Sequence, residues 1–369
     1  MEHFMDKKFL VGLFVICMVS FLVFRTAQEP MQHKKISATK EEVTPAIIAK
    51  SLESQTLKDI SKEQKYLKGA TIEEISFYAP DSPCSNKMSE RKGKIIRRKD
   101  AMATVLVCHG YMCDKHDVGI FRTVFPNCNV MTFDFRAHGD SSDNYQCCTF
   151  GRDESYDVIA AVDYIKADKQ LSQLPRIVYG FSMGAVASII AQSKDMTLFD
   201  AMILDCPYDR SENILRKALE DVRLHLFGYS FSLPGKGILG DYAFNPYVQS
   251  LLKSLLKTVA KLDPTATNTR IYPVNPADAI KDVSVPCFFI HCKNDEKVPV
   301  ESICNVYDNA KGFKRLWVTD GRHHFDSFFY NPEAYCYKVN KFITKVVEGK
   351  IVDKQPVKVT GLTERNKKC

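Results

Sequence analysis

A serine between two glycines gives the clearest chemical signal in the sequence. Ser182 stands in the run GFSMG at 180–184, after the apolar residues IVY and before the small residues AVA. A strand, a tight turn and a helix form the setting in which a G-x-S-x-G motif exposes a reactive serine. The two glycines allow the tight turn, and a helix N-terminus offers N–H donors to an anion. We therefore predict that Ser182 is a nucleophile and not merely part of a packed turn.

A carboxylate and two histidines follow two apolar segments further along the chain. The first segment reads PCFFIHCKNDEKVP and carries Asp295, with Glu296 beside it as the alternative carboxylate. The second reads RLWVTDGRHHFDSFF and carries His323 and His324. Neighbouring residues in an extended loop point in different directions, and no third ligand is near in sequence, so we expect no metal site at the two histidines.

Two histidine-containing motifs precede the serine. HGY at 109–111 and DFRAHGDS at 134–141 each come after an apolar run. Together with the serine motif, and in this order, they resemble the α/β-hydrolase superfamily, and the resemblance extends from about residue 70 to residue 347. The branch that it resembles contains esterases, lipases and aminopeptidases.

The resemblance implies a catalytic triad that includes Ser182. The segment at 286–299 is similar to the family's H-G-x-x-D-x-x-V-P sequence, which makes Asp295 the acid, although Cys292 stands where the family usually has glycine. The family's histidine tends to follow the last strand in a Gly-x-His turn. This spacing favours His323 as the general base and leaves His324 for packing beneath the loop.

The same resemblance assigns the oxyanion hole to backbone N–H groups of Tyr111 and Met183. His109 and His138 precede the nucleophile, whereas the family order is serine, acid, histidine, so we expect both to be structural. With these parts the serine attacks an acyl carbonyl and water cleaves the acyl-enzyme, and no cofactor is required.

Apolar runs alternate with helical patterns in the region that must position these residues. The Val/Ile/Phe-rich runs are typical of strands buried on both faces of a sheet. The alternation predicts an α/β fold with a mostly parallel eight-stranded sheet and helices on both faces, the α/β-hydrolase fold. The strand candidates are 72–78, 94–98, 103–108, 129–135, 176–179, 201–205, 286–291 and 315–319, and the helix candidates are 156–166, 183–193 and 331–347.

About 80 residues separate the strand candidates at 201–205 and 286–291. A connection of this length is usually a lid and rarely a structureless loop. The stretch contains an aromatic-rich part at 227–242 and an amphipathic helix candidate at 248–261. We expect a mobile helical cap at about 208–278 that lines an apolar pocket and controls substrate size.

An uncharged run, FLVGLFVICMVSFLVF at 9–24, follows a short tail at 1–8. It falls a little short of the roughly 20 residues that span a bilayer. Because no small-residue cleavage site follows it, we interpret it as an uncleaved single-pass signal-anchor, with a cleaved secretory signal as the alternative. Basic residues on both sides leave the side of the membrane open. A polar stem at 25–65, the hydrolase domain at 66–350 and a basic tail at 351–369 complete the chain.

The composition is that of a globular protein. Its 369 residues are 45% hydrophobic and 26% charged, which excludes a disordered or low-complexity chain. The net charge of +7 is spread along the sequence and does not indicate a nucleic-acid partner. The 13 cysteines show no metal-ligand spacing and leave the redox compartment open.

Three functions fit these observations. The first is a membrane-anchored serine hydrolase that cleaves a carboxylic ester or thioester of a small-molecule or lipid-like acyl substrate. The alternative is a serine peptidase similar to the aminopeptidase branch of the family. A non-catalytic binding module is the third, and the complete Ser–Asp–His set argues against it. The fold alone does not decide the substrate.

The uncharged apolar run at 9–24 predicts that the chain is attached to a membrane. We expect the full-length chain to stay in the membrane fraction during alkaline carbonate extraction, because the segment at 9–24 is embedded in the bilayer. A chain that begins near Lys34 should be soluble and active. Release of the full-length chain by carbonate would contradict an integral anchor.

Overall fold

The computed structural model describes residues 69–82, 85–141, 146–221, 223–226, 229–232, 242, 244–250 and 268–351. The predicted membrane segment at 9–24 and the stem at 25–65 lie outside these residues. So do the basic tail from residue 352 and most of the predicted helix at 248–261. No helix within the described ranges is long and apolar enough to cross a bilayer.

All eight strand candidates are strands of one sheet, and most of their ends differ from the prediction by only a few residues. Two further strands, which were not predicted, pair with each other in a separate hairpin. The strands are β1 (Ala70–Pro80), β2 (Met88–Arg98), β3 (Thr104–Cys108), β4 (Asn129–Phe133), β5 (Arg176–Phe181), β6 (Ala201–Asp205), β7 (Arg223–Leu226), β8 (Tyr229–Ser232), β9 (Cys287–Cys292) and β10 (Lys314–Thr319).

The large sheet has the order β1–β2–β4–β3–β5–β6–β9–β10. β2 pairs antiparallel with β1 and with β4, and every other neighbouring pair is parallel. The predicted mostly parallel eight-stranded sheet is therefore confirmed. Because parallel strands end at the same edge, the loops that follow β3, β5, β6, β9 and β10 emerge together.

Helices cover both faces of this sheet, as predicted. The three predicted helices are found, and the described residues contain five further ones, including one between β9 and β10. The helices are α1 (Phe121–Val124), α2 (Glu154–Ala167), α3 (Met183–Lys194), α4 (Ser211–Asp221), α5 (Pro276–Ala279), α6 (Val300–Asn309), α7 (Asp326–Tyr330) and α8 (Pro332–Val347).

Successive residues of the central strands alternate between two cores. Leu106 and Val178 belong to the core that includes side chains of α2, α3 and α6. Val107 and Tyr179 belong to the other, with side chains of α1 and α8. Strands buried on both faces need apolar residues at nearly every position, which is why the central strands read as continuous apolar runs.

The chain divides into two compact units. The larger unit, residues 63–214 and 261–369, contains the sheet and its flanking helices. The smaller unit is residues 1–62 and 215–260, and its described part includes the hairpin of β7 and β8. The described residues of the stretch at 208–278 contain α4, this hairpin and α5, and they do not establish the predicted helical cap.

A buried carboxylate joins α2 to β2 and to the loop after β4. Asp157 of α2 pairs with Arg91 (Nε to Oδ1, 3.0 Å) and with Arg136 (Nη2 to Oδ1, 2.7 Å), and all three side chains are buried. Arg136 also donates to the carbonyl groups of Pro80 and Asp81. Burial alone would raise the pKa of Asp157, but the charges of Arg136 and Arg91 and the hydrogen bonds from Arg136 lower it, so the carboxylate stays ionised.

Neutralising this carboxylate should destabilise the fold. Asp157→Asn leaves two buried guanidinium groups without their counter-charge, and removing one partner of a buried ion pair typically costs about 3–5 kcal/mol. Urea denaturation followed by circular dichroism measures the free energy of unfolding. Asp163→Asn, on the exposed side of the same helix, is the matched control and should change it by no more than about 0.5 kcal/mol. Equal stability of the two variants would contradict the role of the ion pair.

Candidate active site

The serine lies in the tight turn between β5 and α3. Ser182 has a φ of 50°, which is left-handed backbone and is strained for a residue with a Cβ. Its N–H donates to the carbonyl oxygen of Asp205 at 2.8 Å. A Cβ at Gly184 would lie 2.1 Å from the carbonyl oxygen of Cys108, and one at Gly180 would lie 2.5 Å from the first turn of α3. Both glycines of the motif are therefore required by close packing, as the sequence predicts.

The loop after β9 holds its carboxylate with backbone N–H groups. Oδ1 of Asp295 accepts from the N–H groups of Lys297 and Val298, each at 2.9 Å, and Oδ2 lies 2.6 Å from Nδ1 of His324. Burial alone would raise the pKa of Asp295, but the hydrogen bond and charge of His324 and the Val298 N–H lower it. Asp295 is therefore ionised, whereas Glu296, the alternative carboxylate, is exposed and does not make this contact.

His324 occupies the position between the serine and the acid. Its Nε2 lies 2.9 Å from Oγ of Ser182, and its Nδ1 faces Asp295. His323 is exposed, and its carbonyl group accepts the N–H of Asp326. The structure therefore corrects the sequence-based choice by one residue: His324, and not His323, lies against the serine.

The turn before α7 explains why the second histidine points inward. A Cβ at Gly321 would lie 2.9 Å from Sγ of Cys292, so the start of the turn is packed on the end of β9. The carboxylate of Asp326 accepts the backbone N–H four residues before it, and Phe325 adopts a left-handed φ of 69°. These contacts rotate His324 towards the sheet edge. A Gly-x-His spacing does not contain this information.

His109 and His138 brace the loops after β3 and β4. His109 accepts the N–H of Phe135 at Nε2 (3.0 Å), and its Nδ1 faces the carbonyl group of Gly110 (2.7 Å). Burial lowers the pKa of His109 to about 3, and it also lowers the pKa of His138. His138 accepts the N–H of Met112 at Nε2 (3.2 Å). Both imidazoles are neutral backbone-binding groups, in agreement with the structural role expected from their place in the chain.

Both N–H groups that the family resemblance assigns to the oxyanion hole are available in the fold. Within the described part of the chain, neither the N–H of Tyr111 nor that of Met183 donates a hydrogen bond. Met183 is the first residue of α3, where the helix dipole favours an anion. The contact between Gly184 and Cys108 packs the start of α3 onto the end of β3, from which the loop with Tyr111 continues.

A second buried carboxylate lies beneath the serine turn and was not predicted. The hydroxyl groups of Tyr335 and Tyr179 lie 2.7 Å and 3.1 Å from Oδ2 of Asp205, and the thiol of Cys206 donates to Oδ1 at 3.2 Å. Burial raises the pKa of Asp205 to about 6, although these donors oppose the shift. A polar residue at the carboxyl end of an apolar strand was the available sequence signal.

One set of potential metal-ligand atoms occurs among the described residues. The atoms belong to Cys206, Asp295 and His324, and all lie within 4.8 Å of one another. A cation needs open space between its ligands, but the carboxylate and the imidazole are hydrogen-bonded at 2.6 Å. We therefore interpret Asp295 and His324 as a hydrogen-bonded pair and not as metal ligands.

The geometry suits nucleophilic catalysis. An imidazole that accepts from a serine hydroxyl can remove its proton during attack on a carbonyl carbon. A carboxylate at the other ring nitrogen holds the required tautomer and stabilises the imidazolium. Phe181 packs against His324 with ring centroids 5.3 Å apart, which shields one face of the imidazole.

Comparisons with known proteins agree with this geometry. Residues 105–336 match the family described as the alpha/beta hydrolase family. The chain is 26% identical over 257 residues to YqkD of Bacillus subtilis (strain 168), described as an uncharacterized protein, and the match covers 68% of this chain and 74% of YqkD.

Solved structures with a similar fold include an esterase. Pf2001 of Pyrococcus furiosus, described as an esterase, is 23% identical with a TM-score of 0.54 over 76% of this chain and 93% of its own. The hypothetical protein PA2218 of Pseudomonas aeruginosa is 13% identical with a TM-score of 0.54 over 75% of this chain and 94% of its own. These two likenesses show a shared fold.

The two adjacent histidines should differ sharply in their effect on serine reactivity. His324→Ala removes the base at the serine oxygen, so labelling of Ser182 by a fluorophosphonate should slow by about 10²–10⁴-fold, the usual contribution of a general base. His323→Ala is the matched control, because it removes an exposed imidazole one residue away. The labelling rates of the two variants, measured by gel fluorescence, decide which histidine is the general base. Slow labelling of His323→Ala together with normal labelling of His324→Ala would reverse it.

Proposed function

The chain belongs to the alpha/beta hydrolase family, and we propose that it is a serine hydrolase that cleaves a carboxylic ester or thioester through an acyl-enzyme on Ser182. The single observation that carries this proposal is the continuous hydrogen-bonded set of Ser182, His324 and Asp295. A binding module that merely kept the fold would not need all three side chains in this arrangement.

The reaction begins with attack of the Ser182 hydroxyl on the acyl carbonyl carbon. His324 takes the hydroxyl proton at Nε2 as the C–O bond forms, and Asp295 stabilises the resulting imidazolium through Nδ1. The protonated histidine then gives its proton to the departing alcohol or thiol. In the second half, His324 removes a proton from water, which cleaves the acyl-enzyme and regenerates the serine.

The oxyanion is held by the N–H groups of Tyr111 and Met183 in this proposal. The negative charge of the tetrahedral intermediate is concentrated on one oxygen, so fixed donors aimed at that oxygen lower the barrier more than they stabilise the substrate. Support comes from the two free N–H groups described above and from the position of Met183 at the N-terminus of α3.

An apolar acyl group is the substrate feature that we favour. Tyr111 and Phe150 pack with ring centroids 4.8 Å apart in the larger unit, so the neighbourhood of the proposed oxyanion loop is aromatic. The esterase description of the structural relative Pf2001 agrees with an ester bond. We further propose that residues 208–278 act as a cap that limits acyl size, and that the segment at 9–24 anchors the enzyme in a membrane.

Removing the nucleophile should abolish the activity. Ser182→Ala is expected to lower kcat on a short-chain nitrophenyl ester by about 10⁴–10⁶-fold and to eliminate fluorophosphonate labelling. Ser193→Ala, in α3, the helix that follows Ser182, makes the same chemical change away from the site and serves as the control. Circular dichroism checks that both variants are folded. Turnover by Ser182→Ala close to that of the control would exclude Ser182 as the nucleophile.

The choice of bond is decided by assaying nitrophenyl esters, acyl thioesters and aminoacyl anilides side by side. Faster cleavage of the ester or thioester supports the proposal, because its alcohol or thiol departs more easily than an amine. Preferred cleavage of the anilide would favour the peptidase alternative.

A further inference from the structure

Two cysteines lie side by side beneath the proposed triad. Cys206 follows β6 and Cys292 ends β9, and both are fully buried. Both are free cysteines. Cys292 is also the residue at which the sequence departs from the glycine usual in the family, and the hydrolase mechanism gives it no role.

The strand register places the two residues within reach of a disulfide bond. Asp205 is opposite Ile290 in the β6–β9 pair, and the N–H of Cys206 donates to the Ile290 carbonyl at 2.9 Å. Cys292 is thus one residue further along the neighbouring strand than Cys206. With strands about 4.8 Å apart and about 3.3 Å per residue, their Cα atoms are about 6 Å apart, within the range found in disulfides. Both side chains lie in the same core on one face of the sheet.

Cys292 contacts the turn that carries the histidine. Its Sγ lies 3.1 Å from Oγ of Ser327, and it packs against the backbone of Gly321. The same strand end continues into the loop with Asp295, and the N–H of Lys293 donates to the carbonyl of Thr319 at 2.8 Å. Movement of Cys292 would therefore displace the loops of the acid and of the base.

Cys206 connects the pair to the serine turn. Its thiol donates to Asp205, whose carbonyl oxygen accepts the N–H of Ser182. Its φ of 51° is left-handed, so the backbone here is held by its surroundings as it is at the serine. The pair is therefore connected to all three loops of the proposed triad: to the histidine turn by contact, to the acid loop through the chain and to the serine turn through Asp205.

We propose that Cys206 and Cys292 are a redox site at which a small hydroperoxide forms a reversible disulfide that switches the hydrolase off. The activity part of its test assumes the proposed function, namely that the chain hydrolyses an ester. Because both thiols are buried, the proposed oxidant is a small hydroperoxide. A bulky disulfide would be too large to reach them.

The reaction balances with one hydroperoxide and two thiols. The thiolate of Cys292 attacks the peroxide, the O–O bond breaks, and a sulfenic acid and an alcohol form. The sulfur of Cys206 then attacks the sulfenic sulfur, the S–S bond forms and water leaves. The two thiols supply the two electrons that reduce the peroxide, and their two protons end in the alcohol and the water.

The environment distinguishes the attacking thiol. The neighbouring Cys206 side chain and the hydrogen bond with Ser327 lower the pKa of Cys292, whereas burial raises the pKa of Cys206. Burial also raises the pKa of other core thiols, such as Cys108 and Cys287, to about 12. Cys292 is therefore the more reactive of these buried cysteines, and Cys206 is the resolving partner beside it.

Disulfide formation should misplace the catalytic groups. The S–S bond is about 2.05 Å long, so the sulfur of Cys292 must leave its contacts with Ser327 and Gly321. A shift of the histidine or the acid by about 1 Å costs about 10²-fold in rate.

The test treats the full-length protein with hydrogen peroxide. Hydrolysis of a nitrophenyl ester should fall by about 10²-fold, the cost of such a shift, and return after treatment with dithiothreitol. Mass spectrometry of tryptic peptides should find the peptide of Cys206 linked to that of Cys292. The linked peptide is detected without any activity measurement.

Three variants complete the experiment, each compared with its own untreated activity. Cys206→Ser and Cys292→Ser should both resist peroxide, because neither can form the bond. Cys336→Ser, which changes a half-buried cysteine of α8, should lose activity as the natural chain does.

The possible outcomes are distinct. Absence of the linked peptide, a linked peptide with full activity, or equal inactivation of Cys206→Ser would each overturn the redox site. If the untreated protein hydrolyses no ester, or Ser182→Ala keeps the activity, the proposed function fails instead, and the linked peptide still reports whether the disulfide forms.

Discussion

The left-handed backbone of Ser182 is the constraint on which the site depends. A residue with a Cβ is held at a φ of 50° only where neighbouring contacts enforce it. Here the contacts are the bond from its N–H to the carbonyl of Asp205 and the approach of Gly184 to Cys108. The partners belong to β6 and β3, the strands on either side of β5. The position of the serine is therefore set by the register of the sheet, and its turn has little freedom of its own.

The remaining groups reach the serine because parallel strands end at one edge. Asp295 follows β9 and His324 follows β10, and these two strands are neighbours. Buried neutral imidazoles hold the loops in place, as His291 does when it bonds the carbonyl of Val298 at 3.0 Å. Burial lowers the pKa of His291 to about 4, so it carries no charge that would compete with His324 for the acid. Neutral histidines can both donate and accept, which suits them to bracing loops in a dry interior.

The fold and most of the site were predictable because they depend on local pattern. Short apolar segments, continuous in the central strands and interrupted by polar residues in β1 and β2, identified all eight strands of the sheet, and glycine spacing identified Ser182. The choice between His323 and His324 was not predictable, because it depends on how Gly321 packs against a side chain from another strand. The Asp205 carboxylate was missed for the same reason: its tyrosine partners come from distant parts of the chain. Short-range spacing is informative about turns, and long-range packing decides which side chain faces the site.

Two buried carboxylates interact with the His324 imidazole, yet their environments shift their pKa values in opposite directions. Asp295 receives two backbone N–H groups and the imidazole, and its pKa is lowered despite burial. Asp205 receives hydroxyl and thiol donors, and burial dominates, raising its pKa to about 6. Backbone N–H groups are fixed dipoles that favour the anion, whereas hydroxyl and thiol groups can reorient and also accept a proton from a neutral acid. Asp295, which is bonded to Nδ1 of His324, is therefore the better placed of the two to stabilise an imidazolium, and Asp205 links the serine turn to the tyrosines of β5 and α8.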